Sequence, residues 1–189
     1  MSPTVWILIA VAAVAAFAIF IYNRLVVLRA AWQRAFSDID VQLKQRQDLI
    51  PNLVETVKGY ASHERGVFDE VTQARTAAMR ATTVGEKSVA EGALSGALGN
   101  LFAVAENYPQ LKASENFLKL QEELSDIENK IAAARRFLNS AVAEYNANIQ
   151  QFPAVLVAGP LGFTAAQMFA LDDTERATAK EPPKVSLTA

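Results

Sequence analysis

The chain has one histidine, His63, and Glu64 follows it directly. An imidazole beside a carboxylate could join a divalent-metal site, so this pair is the first place to look for chemistry. A carboxylate-bridged metal site in a helical bundle draws on two Glu-x-x-His pairs. One histidine with Tyr60 three residues before it cannot supply them. What remains is a mononuclear site completed by remote acids, or the ordinary state of a lone histidine, solvated or hydrogen-bonded. The serines fall in caps and helices, without the Gly-x-Ser-x-Gly turn that exposes a nucleophile. Gly85, Gly92, Gly96 and Gly99 have neither the dinucleotide-binding spacing nor the terminal Lys-Ser/Thr of a nucleotide loop. There is no cysteine, which excludes disulfide and thiolate chemistry and fits a reducing compartment. These patterns lead us to expect no catalytic residue, no metal site and no cofactor, with a metal-dependent enzyme as the remote alternative.

The elements that would hold any site begin with the uncharged run Thr4 to Tyr22. As a helix it would extend about 28 Å, close to the roughly 30 Å hydrocarbon core of a bilayer. Ala16-Phe17-Ala18 loosely resembles a signal-cleavage site, but a secretory signal carries a basic n-region and no Lys or Arg precedes Arg24. Arg24, Arg29 and Arg34 follow before the first acid, Asp38, and basic flanks favour the cytoplasmic side. The expected arrangement is a single-pass membrane anchor over residues 1–23, with the N-terminus outside and a cytoplasmic helical domain over 24–152. An apolar then polar tail would fill 153–189. The rest of the chain suits one domain. A net charge of -2 argues against nucleic acid as a partner.

Beyond the anchor, apolar residues recur at helical spacing. Phe117, Leu120, Leu124, Ile127, Ile131, Ala134, Leu138, Ala141 and Tyr145 step by threes and fours, as a heptad seam does. Leu25, Leu28, Trp32, Ala35, Ile39 and Leu43 repeat the pattern, so the membrane helix should run on without a linker. A second helix is expected from near Asp48, with Pro51 in its first turn, to about Arg80. Thr83-Val84-Gly85-Glu86 reads as a capping box opening a third, and Tyr108-Pro109 marks the break before a fourth that lasts to Phe152-Pro153. No stretch alternates like a strand. The fold class is therefore all-α: an N-terminal transmembrane helix continuing into an elongated antiparallel bundle of about four helices, with an irregular C-terminal tail.

Several long blocks carry a resemblance. They are Tyr22-Asn23-Arg24-Leu25-Val26, Ile39-Asp40-Val41-Gln42-Leu43-Lys44, and Asp48-Leu49-Ile50-Pro51-Asn52-Leu53-Val54-Glu55-Thr56-Val57-Lys58-Gly59-Tyr60. Later come Ala105-Glu106-Asn107-Tyr108-Pro109, Leu120-Gln121-Glu122-Glu123-Leu124, Ala134-Arg135-Arg136, and Tyr145-Asn146 through Phe152-Pro153. In this order they resemble the LemA family over nearly the whole chain. The resemblance implies a bacterial membrane protein with a small outer N-terminus, a helical cytoplasmic domain and kinship with a magnetosome-membrane protein. Phe137 departs from the tyrosine that the family often carries there, which puts one hydroxyl contact in doubt.

Three features bear on interaction. A seam of the second helix through Leu53, Val57, Tyr60, Glu64, Val67 and Val71 places a carboxylate among apolar positions. Glu64 would either reach water at the seam's edge or fix register against Asn139 or Asn146. In the third helix, Leu94, Leu98, Leu101 and Ala105 form one stripe, while Gly92, Gly96, Gly99 and Ala103 form another on the opposite side. The leucine side would pack on the bundle, and the small side would receive another subunit or simply remain exposed. In the tail, Gly159-Pro160 and Gly162 interrupt the uncharged run Ala154 to Leu171, which rules against a second span. Phe163, Met168 and Phe169 would cover bundle surface, reach a neighbouring subunit or lie in the membrane interface. The polar stretch 172–189 is expected to be extended or disordered.

The function these readings support is a membrane-anchored helical scaffold. It would self-associate or recruit proteins at the cytoplasmic face, with membrane lipid and a homo-oligomer as expected partners. A regulatory accessory subunit of a membrane protease, sensor or transporter is the alternative, since it needs the same parts and a membrane-protein partner.

Overall fold

The structure is a computed structural model and describes residues 2–169. The described residues form six helices and no strand: α1 (Pro3–Lys58), α2 (Arg65–Arg80), α3 (Val84–Glu106), α4 (Pro109–Lys112), α5 (Glu115–Gln150) and α6 (Val155–Ala158). The all-α class stands.

The expected break near Asp48 is absent, because α1 runs through Pro51 to Lys58. Proline removes the hydrogen bond to the carbonyl of residue 47 and crowds it, at about 3 kcal/mol. Against that, Leu49, Ile50, Leu53, Val54 and Val57 are all buried on this stretch. Burying each is worth roughly 1.5 to 3 kcal/mol, so continuing the helix wins. The chain turns later, at Gly59 and Tyr60, where the amides of Tyr60 and Ala61 both bond to the Val57 carbonyl. The second helix thus opens at Arg65. The expected fourth helix is likewise divided, into α4 with Pro109 at its start and α5 from Glu115.

The described chain gathers into two compact units, one of Met1–Asp48 with Gln121–Met168, the other built on Leu49–Leu120. This grouping differs from a partition at 23 and 152, because the apolar N-terminal run and the start of the tail share a unit with the helices that they join. In the first unit, Leu25 clusters with Tyr145 and Ile149, the Trp32 and Tyr145 rings lie 6.3 Å apart, and Arg46 bonds to Glu128 at 2.6 Å. Ascending α1 meets descending α5, so the pair is antiparallel. Most of the two seams is buried, including Leu25, Ala35, Ile39 and Leu43 on α1 and Leu124, Ile127, Ile131, Leu138 and Tyr145 on α5.

In the second unit, α2 packs on α3. Phe68, Val71 and Ala78 are buried on α2, as are Leu94, Leu98, Leu101 and Ala105 on α3. The Phe102 and Phe117 rings lie 6.2 Å apart. The α3 N-terminus is a complete capping box: the Glu86 amide donates to the Thr83 hydroxyl, and the Thr83 amide donates to the Glu86 carboxylate at 3.1 Å. Bonds from the Thr82 and Thr83 amides, then from the hydroxyls, lower the Glu86 pKa from 4.5 to about 2. A depressed carboxylate stabilises the cap fully above pH 4.5 and loses that contribution as pH falls toward 2. The protection of the first amides of α3 against hydrogen exchange, taken relative to the intrinsic rate at each pH, should therefore fall as pH drops across this window. Glu86→Gln should abolish that fall, and an equal response in both proteins would contradict it.

Candidate functional site

Two described helices, α1 and α3, are long and apolar enough to cross a membrane, and burial distinguishes them. The most apolar window of α1 is 0% buried, whereas 33% of that of α3 is buried. In α3 one face of apolar residues, including Leu94, Leu98 and Leu101, serves the core, while Val89 is exposed. In α1, Trp6, Ile7, Leu8, Val11, Val14, Phe17, Ile19 and Phe20 are all exposed. Exposed apolar runs of this size are the kind that a membrane or a partner surface covers.

Where the girdle ends, the chain builds its most tightly specified feature. After α5 it turns through Pro153 into α6, and Gly162 follows with a φ of 74°. The Phe163 amide bonds back to the Ala158 carbonyl and the Gly162 amide to that of Gly159, both at 2.9 Å. These two bonds and a left-handed glycine make a Schellman stop, including its apolar contact between Ala158 and Phe163. A side chain at Gly162 would meet open space but would strain the backbone.

The turn sets Phe163 against α1. Tyr22 meets its ring edge-on at 5.7 Å, and the Arg29 guanidinium lies 4.0 Å over it while donating to the Gly162 carbonyl at 2.7 Å. The following residues are held by α5. The Tyr145 hydroxyl donates to the Thr164 carbonyl at 3.0 Å, and Asn146 exchanges two 2.8 Å bonds with the Ala166 backbone. The resulting elbow leaves Phe152, Val155, Leu156 and Leu161 exposed. The polar groups named here, Arg29, Tyr145 and Asn146, are each engaged in holding the elbow.

Phe163 and Phe169 are buried, which fits the expected packing onto the protein and withdraws both from the candidate interaction surface, and only Met168 of that trio is exposed. Phe163 is withdrawn by the cation, the ring edge and the cluster around Leu25. Gly92 is half-buried while Gly96, Gly99 and Ala103 are exposed, and an added Cβ at any of the three glycines meets nothing within 4 Å. The small face of α3 is therefore open. Glu64 is half-buried at the N-terminus of α2 rather than within a continuous seam, because α1 has already ended, and exposed His63 lies in the intervening turn. Asn146 is committed to the tail, and Asn139 is half-buried on α5. Exposed Phe137 would offer a tyrosine hydroxyl to water. Among the described residues, no group of three or more His, Asp or Glu is placed to hold a metal ion.

The elbow residues and Arg46 were missed. Arg46 is 2% exposed and occupies the next seam step after Leu43. Extending the α1 spacing by three would have found it. For the elbow, the signal was the lack of any charge between Glu144 and Asp172.

The family model of the LemA family matches residues 35–187. Magnetosome protein MamQ 2 of Paramagnetospirillum magneticum is 26% identical over 174 residues, covering 78% of this chain and 64% of the relative. Magnetosome protein MamQ of Magnetospirillum gryphiswaldense is 25% identical over the same coverage. Protein LemA of Metamycoplasma hominis is 29% identical over 149 residues, covering 76% of this chain and 66% of the relative. The chain thus spans just under two thirds of the length of the magnetosome relatives.

Proposed function

We propose that this chain, which belongs to the LemA family, is a single-pass membrane scaffold that self-associates and recruits proteins at the cytoplasmic face. The observation that carries the reading is the wholly exposed apolar girdle of α1, continuous with the helix that forms the first unit's core. A membrane satisfies the girdle, and the helical units remain in water. Arg24, Arg29 and Arg34 favour retention of that part inside. The likeness to magnetosome proteins is consistent with work at a membrane. The open small face of α3 is the surface offered to a second copy, since Gly96 leaves room for close backbone approach.

Because the chain has no cysteine, single-cysteine variants report cleanly. Ser2→Cys should react with impermeant reagents in unbroken cells and Glu123→Cys only after rupture. A Gly96→Cys variant treated with a short bifunctional thiol reagent in intact membranes should yield a homotypic dimer. One dominant heterologous product would favour the accessory-subunit reading instead, and no product would remove this face from consideration.

A further inference from the structure

We infer that the elbow from Phe152 to Leu161 is a second lipid-contacting surface, seated in the interfacial layer of the leaflet from which α1 emerges. This rests on the reading of α1 as the anchor. Ile21 and Leu25 pack with Ala158 and Phe163, so the elbow lies at the level where the uncharged run of α1 ends. Phe152 is 79% exposed and Leu156 66%, with Val155 and Leu161 exposed beside them. On α1, Tyr22, Val26 and Val27 are exposed as well, carrying the apolar girdle past the first arginine.

Arg24 and Arg29 flank this level on α1, and no residue from Tyr145 to Leu171 carries a charge. Apolar side chains rimmed by guanidinium groups fit an anionic lipid surface, where the rings and aliphatic chains sit below the headgroups and the arginines reach phosphate. The Schellman stop and the Phe163 contacts hold the elbow against α1 in the folded unit. The occupant is the bilayer rather than a second copy, because the elbow packs at the end of the α1 run that the proposed anchor places in the bilayer.

The full chain is placed in vesicles of phosphatidylethanolamine and phosphatidylglycerol, with an environment-sensitive fluorophore on Ile9→Cys, Leu156→Cys or Glu123→Cys. Lipids brominated near the headgroup should quench the label at 156 severalfold more than that at 123, while deeply brominated lipids quench the label at 9. Quenching at 9 with 156 indistinguishable from 123 overturns the inference and leaves the anchor standing. No quenching at 9 overturns the anchor and this surface together. A shielded label at 156 that bromine leaves bright, and that becomes exposed as protein is diluted in lipid, assigns the elbow to a second copy and overturns the lipid assignment.

Discussion

Tyr145→Ala should cost the first unit about 3 to 5 kcal/mol, the range for emptying a buried aromatic site. Tyr145 is 1% exposed and belongs to the cluster with Leu25, Ile149, Ala158 and Phe163. Its ring lies beside Trp32 and its hydroxyl donates to the Thr164 carbonyl. Removing it opens a cavity and also frees the first residues after the elbow. Tyr145→Phe keeps the ring and loses only the hydrogen bond, so it should cost roughly 0.5 to 1.5 kcal/mol. Urea unfolding in mild detergent, read against an exposed control such as Val89→Ala, measures both. Equal stabilities for the alanine and phenylalanine variants would show that the ring is not a core element. Limited proteolysis supplies the second readout, with cleavage between 154 and 168 expected to rise in both variants and most in the alanine form.

The second large effect concerns which apolar helix enters the bilayer. Val11→Arg combined with Val14→Arg puts two guanidinium groups in the middle of the α1 run. Each costs about 2.5 to 3.5 kcal/mol at the centre of a spanning helix. Together that is roughly 5 to 7 kcal/mol, a fall of about four to five orders of magnitude in insertion equilibrium. The double variant should leave the membrane fraction under alkaline carbonate extraction. Val89→Arg, at an exposed position on α3, should stay with the parent. Retention of the double variant together with loss of the Val89 variant would exchange the roles of the two helices.

Most of the helical plan was legible because burial imposes a period. The α5 seam and the leucine stripe of α3 could be read from spacing, and the Thr83 capping box from two residues. Pro51 misled because its local cost is outweighed by apolar burial on both sides of it, a tertiary gain that no short window contains. The same error placed Glu64 inside a helix. Arg46 was hidden because a charged residue interrupts an apolar count, although its bond to Glu128 lets it occupy a core step. Only Arg46 is withdrawn from water, since Glu128 keeps 41% of its side chain exposed and the pair sits at the edge of the seam. In the tail, composition showed an apolar segment, but which side chains turn inward depends on Gly162 and Arg29 acting together. Hence Phe163 was chosen where Leu156 was the exposed residue.

On the proposed function, the unbroken course of α1 would make it a lever. A bilayer that thins or thickens re-tilts a spanning helix, and α1 runs without a break from its apolar girdle to Leu43. The fulcrum would lie near Leu25, where the Arg29–Phe163 contact ties the shaft to the descending chain. Stress in the lipid would then reach the first unit as a swing rather than be lost in a hinge.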